Sequence, residues 1–309
     1  QPFQRCSVME KVTIGFVPRE RFSAAARSLQ SLIDNTHMPY HLIVVDANTP
    51  ERYRRQMMRI LEKHPSVDVI RTDRYLLQNE AKNLVVQRNR SEFLALVEND
   101  NLFGAGWLTH LVHACEEQPA AVASPLLIEH GRVHFDPRLG SIRTVQTSEG
   151  EKVEFVGRSL ESWAQDRFAE RRLTQTVETH ALLFRKIVFD KIGPFDEAVV
   201  TRREVDLIMA LYRHGLPIVF EPKAVVEFLP PPPVHPDERE YFFMVWDLER
   251  ARRSHQVIDQ KWNLATLPTS MWFVERRHHM TSEMGFKAYE FGKRVRGKMA
   301  QVKRKLVGA

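Results

Sequence analysis

The sequence predicts an α/β protein, a mostly parallel sheet flanked by helices with a helical C-terminal extension. Three observations predict it. From Val12 to Val97, short β-branched runs alternate with helical stretches, the pattern of βαβ units joined by right-handed crossovers. These runs end abruptly in polar residues, as buried strands do at the sheet edge where open α/β folds bind ligands. Pro230–Pro233 then closes the sheet region, because consecutive prolines neither continue a strand nor open a helix.

Taken in order, Val12–Val17 (VTIGFV) reads as a strand and Phe22–Asn35 as a helix with Ala25, Leu29 and Leu32 among its apolar positions. His41–Asp46 is a second buried strand, Glu51–His64 a charged helix and Val67–Arg71 a short third strand. Asn79–Arg90 is a helix, Phe93–Val97 the fourth strand, Trp107–Glu117 a helix and Ala121–Ile128 a strand. From Glu129 to Thr176 the pattern gives way to irregular, charged sequence with β-hairpin pieces, read as an insertion over the strand ends. Thr179–Phe184 restores order, followed by helices over Lys186–Lys191 and Glu204–His214 and a strand near Pro217–Glu221. Beyond the prolines, Asp237–Trp262 reads as one long helix. The division expected is a disordered segment over 1–10, a sheet domain over 11–229, a junction and helical extension over 230–281 and a basic tail over 282–309.

Composition narrows the function. Cys6 and Cys115 are the only cysteines and form no CxxC, so neither a disulfide scaffold nor a cysteine zinc site is supported, and a reducing cytoplasm fits. No stretch is apolar for long enough to span a bilayer, and no hydrophobic signal core opens the chain. Residues 287–309 hold eight lysines and arginines against the single Glu290, so the net charge of +6 describes a tail on a near-neutral body. Phe291, Val295, Met299, Val302 and Leu306 share one helical face there, which suits an interfacial helix on anionic lipid; packing on the body or between subunits, or a disordered tail, are the alternatives. The body lacks the basic, aromatic-interleaved surface of a nucleic-acid binder.

The chemistry concentrates at Phe93–Asn101, FLALVENDN. Glu98 and Asp100 emerge where a buried strand leaves the sheet, and in extended backbone residues two apart face the same side. Hard oxygen ligands at that spacing suit Mg²⁺ or Mn²⁺ held together with phosphates, although a solvated acidic turn has the same composition.

Six segments together resemble the family 2 glycosyltransferases of GT-A fold, Rossmann-like enzymes with a mostly parallel sheet. They are Val17-Pro18-Arg19-Glu20-Arg21, Leu42–Asn48, Lys82-Asn83, Val97–Asp100, Gly193–Glu197 (GPFDE) and Arg203–Leu207 (REVDL) with Gly215. The resemblance covers Val12–Leu229 and implies an inverting transfer of a sugar from a nucleotide donor, most simply a UDP-sugar, assisted by Mg²⁺ or Mn²⁺. It implies that Pro18, Arg19, Asp46, Asn48, Lys82, Asn83 and Glu98 line the nucleotide site, that Asp100 with Glu98 holds the metal, and that His180 lies in the loop over the donor sugar. Glu204 takes the place of the family's catalytic base, with Asp206 as its understudy. Asp46 ends a buried strand, and because Asn48 or Thr49 is the better helix cap, its carboxylate is expected to be free for the base. Two positions depart from the family pattern: Glu98 stands for an Asp and Arg203 for an acid. The acceptor expected is a saccharide, a lipid-linked saccharide or a glycosylated metabolite, with the tail on a membrane surface; an oligomer is compatible with the sequence.

Two other classes remain open on the sequence. The altered motif positions suit a non-catalytic nucleotide- or glycan-binding domain that recruits partners. A nucleotidyltransferase would normally show an early Gly-rich phosphate loop, which Phe16–Arg21 lacks.

Overall fold

The computed structural model describes residues 10–278 except Pro65, 136–140, 157–169, 230–233 and 267–270, together with scattered positions between 284 and 295. Residues 1–9 of the N-terminal segment, the four prolines and most of the basic tail therefore lie outside the described residues. Phe291 and Val295, two of the tail's apolar positions, are described and are 69% and 38% exposed.

The first half follows the predicted alternation: β1 (Val12–Val17), α1 (Ala25–Asn35), β2 (His41–Ala47), α2 (Glu51–Leu61), β3 (Val67–Thr72), α3 (Gln78–Arg88) and β4 (Phe93–Glu98). These strands lie side by side in the order β4-β1-β2-β3, all parallel. Every residue of β1 and β4 is buried, as expected of strands covered on both faces. Because the chain crosses from β1 to β2 on one side and returns to β4 on the other, strand order reverses between β1 and β4. That reversal opens a crevice at their C-terminal ends.

Helix α3 lies hard against β1. A Cβ on Gly15 would sit 2.5 Å from Val85 Cγ1 and 3.0 Å from Leu96 Cδ2, so the glycine permits the close approach. Gly15→Ala is expected to cost about 1–3 kcal/mol by overpacking. A chemical-denaturation midpoint equal to wild type would mean that α3 can retreat without penalty.

The chain continues through β5 (Asn101–Phe103), α4 (Trp107–Glu117), β6 (Val122–Glu129) and β7 (Arg132–Phe135). A hairpin of β8 (Ser141–Thr147) and β9 (Gly150–Val156) supplies the β-pieces predicted in the irregular region. After β10 (Arg172–Thr174), β11 (Ala181–Arg185) runs antiparallel between β4 and β6 and makes the sheet mixed. Then follow α5 (Ile187–Ile192), α6 (Arg203–Arg213) and β12 (Ile218–Phe228).

Strand β12 runs well past the predicted end at Glu221. Its register against β6 shifts between Glu221 and Val225, and Pro222, which has no N–H for the ladder, falls inside that irregularity. The strand resumes and ends at Phe228, beside the crevice.

The single helix predicted over Asp237–Trp262 is two: α7 (Arg239–Val245) and α8 (Leu248–Trp262). The break has a tertiary cause and a local one. Trp246 Nε1 donates to Glu20 Oε2 at 2.9 Å, and Asp247 caps α8 by accepting from Arg250 N at 2.7 Å. Helix α7 buries Tyr241 and Val245 against Phe22, Tyr53, Leu77 and Val200, so the extension packs on the sheet domain. β13 (Leu264–Thr266) pairs with β9, and α9 (Trp272–His278) follows. No described helix is long and apolar enough to cross a membrane. Cys115 is a buried free thiol that burial pushes up to about 12.

Candidate active site

The crevice is built from the segment after β1 and the acidic end of β4. Asn99, between the two acids, joins them: its Oδ1 accepts from Arg19 N at 3.1 Å, and its Nδ2 donates to Arg21 O at 2.8 Å. Glu98 and Asp100 face the same side, as their spacing predicts, and both are fully buried. Asn101 Nδ2 donates to the backbone oxygens of Glu98 (3.0 Å) and His180 (2.8 Å), which fixes His180 over the strand end. The His180 ring lies 4.4 Å from that of Phe228.

Three cations converge on Glu98. Arg19 Nε is 2.9 Å from Oε2, Lys82 Nζ 3.0 Å from Oε1 and Arg203 Nη2 3.4 Å from Oε1. The two departures from the family pattern, Glu98 and Arg203, thus meet each other. Burial alone would raise the Glu98 carboxyl, but Lys82, Arg203 and Arg19 outweigh it and hold it below the usual carboxylate range. Asp100 has Arg19 Nη1 at 3.0 Å from Oδ2; burial dominates and pushes it up to about 6. Lys82 is buried and its pKa is lowered by that burial despite Glu98, so it is no solvated surface lysine. Burial, then Arg19, keeps His180 well below its ordinary value and therefore neutral.

Among the described residues, Glu98, Asp100 and His180 are the group of acidic and histidine side chains able to hold a metal ion, with ligand atoms within 4.8 Å of one another. Glu98 Oε2, Asp100 Oδ1 and His180 Nδ1 are buried and accept no hydrogen bond. Two carboxylates and a neutral imidazole with free lone pairs fit a divalent ion. The guanidinium of Arg19 spans the same two carboxylates.

Helix α6 brings the remaining acids. Glu204 sits in its first turn with a side chain 22% exposed, and among the described residues it pairs with Arg202, at 3.7 Å. Burial, reinforced by the neighbouring Glu178 carboxylate, raises its pKa above the ordinary glutamate value. Asp206 is spent on α8: Oδ1 accepts from Trp262 Nε1 at 2.7 Å, and Lys261 Nζ lies 2.9 Å from the same oxygen.

On the other side of β1, an open pocket of about 580 Å³ is lined by Asn48, Arg71, Thr72, Asp73 and Arg74. Asp46 lies near the end of β2, close to the pocket-lining Arg71, but its carboxylate is not free as expected. Oδ1 accepts from Thr49 N at 3.0 Å, and Oδ2 lies 3.8 Å from Arg71 Nε. Helix α2 starts from Pro50 without a side-chain cap, so neither Asn48 nor Thr49 plays that part. Pro18 is buried at the end of β1. Asn83 is not brought to the cluster: Nδ2 donates to Phe195 O and Glu197 Oε1, and Oδ1 accepts from Phe195 N, all at 2.9 Å. It pins the GPFDE segment to α3.

Sequence reasoning passed over Glu20, Arg21 and the cationic role of Arg203. Arg21 is buried, with Nη2 donating to Leu229 O at 2.6 Å. Three consecutive charges, Arg19-Glu20-Arg21, one residue after a fully buried strand were the available signal, since charges at such a place are buried and paired.

The chain belongs to glycosyl transferase family 2, whose model matches residues 19–193, and has the GT-A fold. The solved structure of GalNAc-T7 with UDP, GalNAc and Mn²⁺ is similar in fold (TM-score 0.53, 15% identity), covering 86% of this chain and 56% of that one. TarS of S. aureus in complex with UDP-GlcNAc is similar at a TM-score of 0.54 and 13% identity, covering 89% of this chain and 74% of that one. The first of these chains is thus nearly twice as long as the part matched. No curated protein matched the chain by sequence.

Proposed function

We propose that this protein transfers a sugar, with inversion, from a UDP-linked donor to a hydroxyl of a saccharide, a lipid-linked saccharide or a glycosylated metabolite in the cytoplasm. The observation that carries the reading is the convergence of Arg19, Lys82 and Arg203 on Glu98, with Arg19 also on Asp100, at the strand-order reversal, beside the partly open carboxylate of Glu204. UDP is favoured because it is the nucleotide in both neighbouring complexes.

The uracil and ribose would enter the pocket lined by Asn48, Arg71 and Thr72, and the diphosphate would lie over Lys82 and Arg203. Glu98, Asp100 and His180 would hold Mg²⁺ or Mn²⁺, which neutralises charge on the departing diphosphate. Glu204 takes the proton from the acceptor hydroxyl as its oxygen bonds to the anomeric carbon. The bond from that carbon to the phosphate oxygen breaks, and UDP leaves with the electron pair. A raised pKa suits a base that must hold a proton during the step and release it afterwards.

Calorimetric titration with UDP, GDP and dTDP, with and without Mn²⁺, tests the donor site. UDP is expected to bind in preference, more tightly with Mn²⁺, and Asp100→Asn to lose about tenfold or more of that gain. Binding by none of the three would overturn the reading. Equal UDP binding with and without Mn²⁺ in both proteins would remove the metal from it.

A further inference from the structure

The proposed donor site contains a cation of its own in the position of the ion. Arg19 Nε is 2.9 Å from Glu98 Oε2, and its Nη1 is 3.0 Å from Asp100 Oδ2 and 3.2 Å from Glu20 Oε1. The guanidinium lies 4.5 Å over the ring of Phe228, and the side chain is only 10% exposed. A planar fork bridging two carboxylates on an aromatic face is a well-matched arginine seat.

A divalent ion could not share it. Mg²⁺ or Mn²⁺ needs carboxylate oxygens at about 2.0–2.2 Å, and the guanidinium already spans both acids. Charge points the same way. Arg19, Arg21, Lys82 and Arg203 outnumber Glu20, Glu98 and Asp100 before any ion arrives. Two further positive charges in so buried a place would be strongly unfavourable unless an anion came with them. A nucleotide diphosphate is such an anion, and its oxygens suit the fork that now lies against the two carboxylates.

The backbone is arranged for a side-chain exchange. Arg19 N is held by Asn99 Oδ1 at 3.1 Å, and Arg19 O accepts from Tyr241 Oη at 3.3 Å and from Gln78 Nε2. The pivot is fixed from three sides, so the guanidinium can change partners by its own torsions while the segment stays in place.

We propose that Arg19 is the resident counter-ion of the Glu98–Asp100 pair, and that it yields this seat to a divalent ion only when the donor's diphosphate takes its guanidinium. The inference rests on the nucleotide-sugar reading above and adds an order of loading: nucleotide and ion bind together, and the ion alone binds poorly. Coupling between two ligands is reciprocal, so UDP raises the affinity for Mn²⁺ by the factor by which Mn²⁺ raises that for UDP.

The test is Mn²⁺ binding to the full chain, followed by the electron-paramagnetic-resonance signal of free Mn²⁺, with and without UDP. Wild type is expected to bind Mn²⁺ about tenfold or more tightly with UDP than without it. Arg19→Gln, which removes the charge, is expected to bind Mn²⁺ without nucleotide at close to the UDP-bound affinity. Arg19→Lys, which can hold one carboxylate but not both, should fall between them, and it serves if Arg19→Gln does not fold. Wild-type Mn²⁺ affinity that is high and indifferent to UDP, while UDP itself binds, would overturn the exchange and leave the donor site standing. Unchanged Mn²⁺ affinity in a folded Arg19→Gln would overturn it too. Failure of UDP to bind wild type at any Mn²⁺ concentration would instead overturn the donor-site reading, and the exchange with it.

Discussion

Glu204→Gln is expected to lower kcat by about 10²–10⁴-fold, the usual contribution of a positioned general base, while leaving UDP affinity unchanged. The split follows from where the side chain sits. Glu204 pairs only loosely with Arg202, at 3.7 Å, and the cations that neutralise Glu98 are Arg19, Lys82 and Arg203. Glutamine preserves the shape and removes the proton acceptor. A pH profile gives a second reading. The base works deprotonated, and burial together with Glu178 raises its pKa, so wild-type kcat should fall as pH drops through that raised value. In Glu204→Gln the same limb should vanish from whatever activity remains. Asp206→Asn is the control, because both Asp206 oxygens tie α6 to Lys261 and Trp262. It should lower the melting temperature more than the rate. A folded Asp206→Asn with the larger loss of kcat, beside an active Glu204→Gln, would move the base to Asp206.

How much of this was readable in the sequence differs by element. The parallel strands and their ligand-bearing ends were legible because a buried strand allows little besides Val, Ile, Leu and Ala. Where Phe93–Val97 gives way to Glu98, the edge of the sheet is written in the residue types. The two-residue spacing of Glu98 and Asp100 also placed both acids on one side correctly, since extended backbone has that period. Helix α3 was harder. It buries Gln78, Asn79, Lys82 and Asn83 alongside Ala81 and Val85, so its inward face is mostly polar and hydrophobic periodicity does not reveal that face. Those polar groups are satisfied by residues more than a hundred positions away for Asn79 and Asn83, and sixteen away for Lys82. The same blindness joined α7 to α8. Nothing between Tyr241 and Leu248 forbids a continuous helix, and the indole of Trp246 turns to Glu20 only once the sheet domain exists to receive it. Arg19 was placed among the nucleotide-binding residues by motif alone, and only the folded chain shows its guanidinium seated on the two acids.

Glu238→Ala is expected to destabilise the protein by about 2–5 kcal/mol and, at temperatures where it remains folded, to weaken UDP binding. Glu238 is fully buried at the start of the extension. Its carboxylate accepts from Phe22 N at 2.8 Å, Ser23 N at 2.9 Å, Ser23 Oγ at 2.9 Å and His235 N at 3.3 Å. Alanine would strand backbone N–H groups in the interior, where each unsatisfied group costs about 1–3 kcal/mol. The consequence for binding comes from what those bonds hold. Phe22 and Ser23 directly follow Arg19, Glu20 and Arg21, and the extension grips that triplet as well, through Tyr241 on Arg19 O and Trp246 on Glu20. The helices beyond the prolines therefore brace the segment that carries the cluster's own cation. Ser23→Ala separates the two effects. It removes one hydroxyl bond and keeps both backbone bonds, so it should cost only about 0.5–1.5 kcal/mol and leave UDP affinity intact. If Glu238→Ala melts early yet binds UDP as wild type does, the extension is a brace for the fold alone, and the segment after β1 keeps its geometry without it.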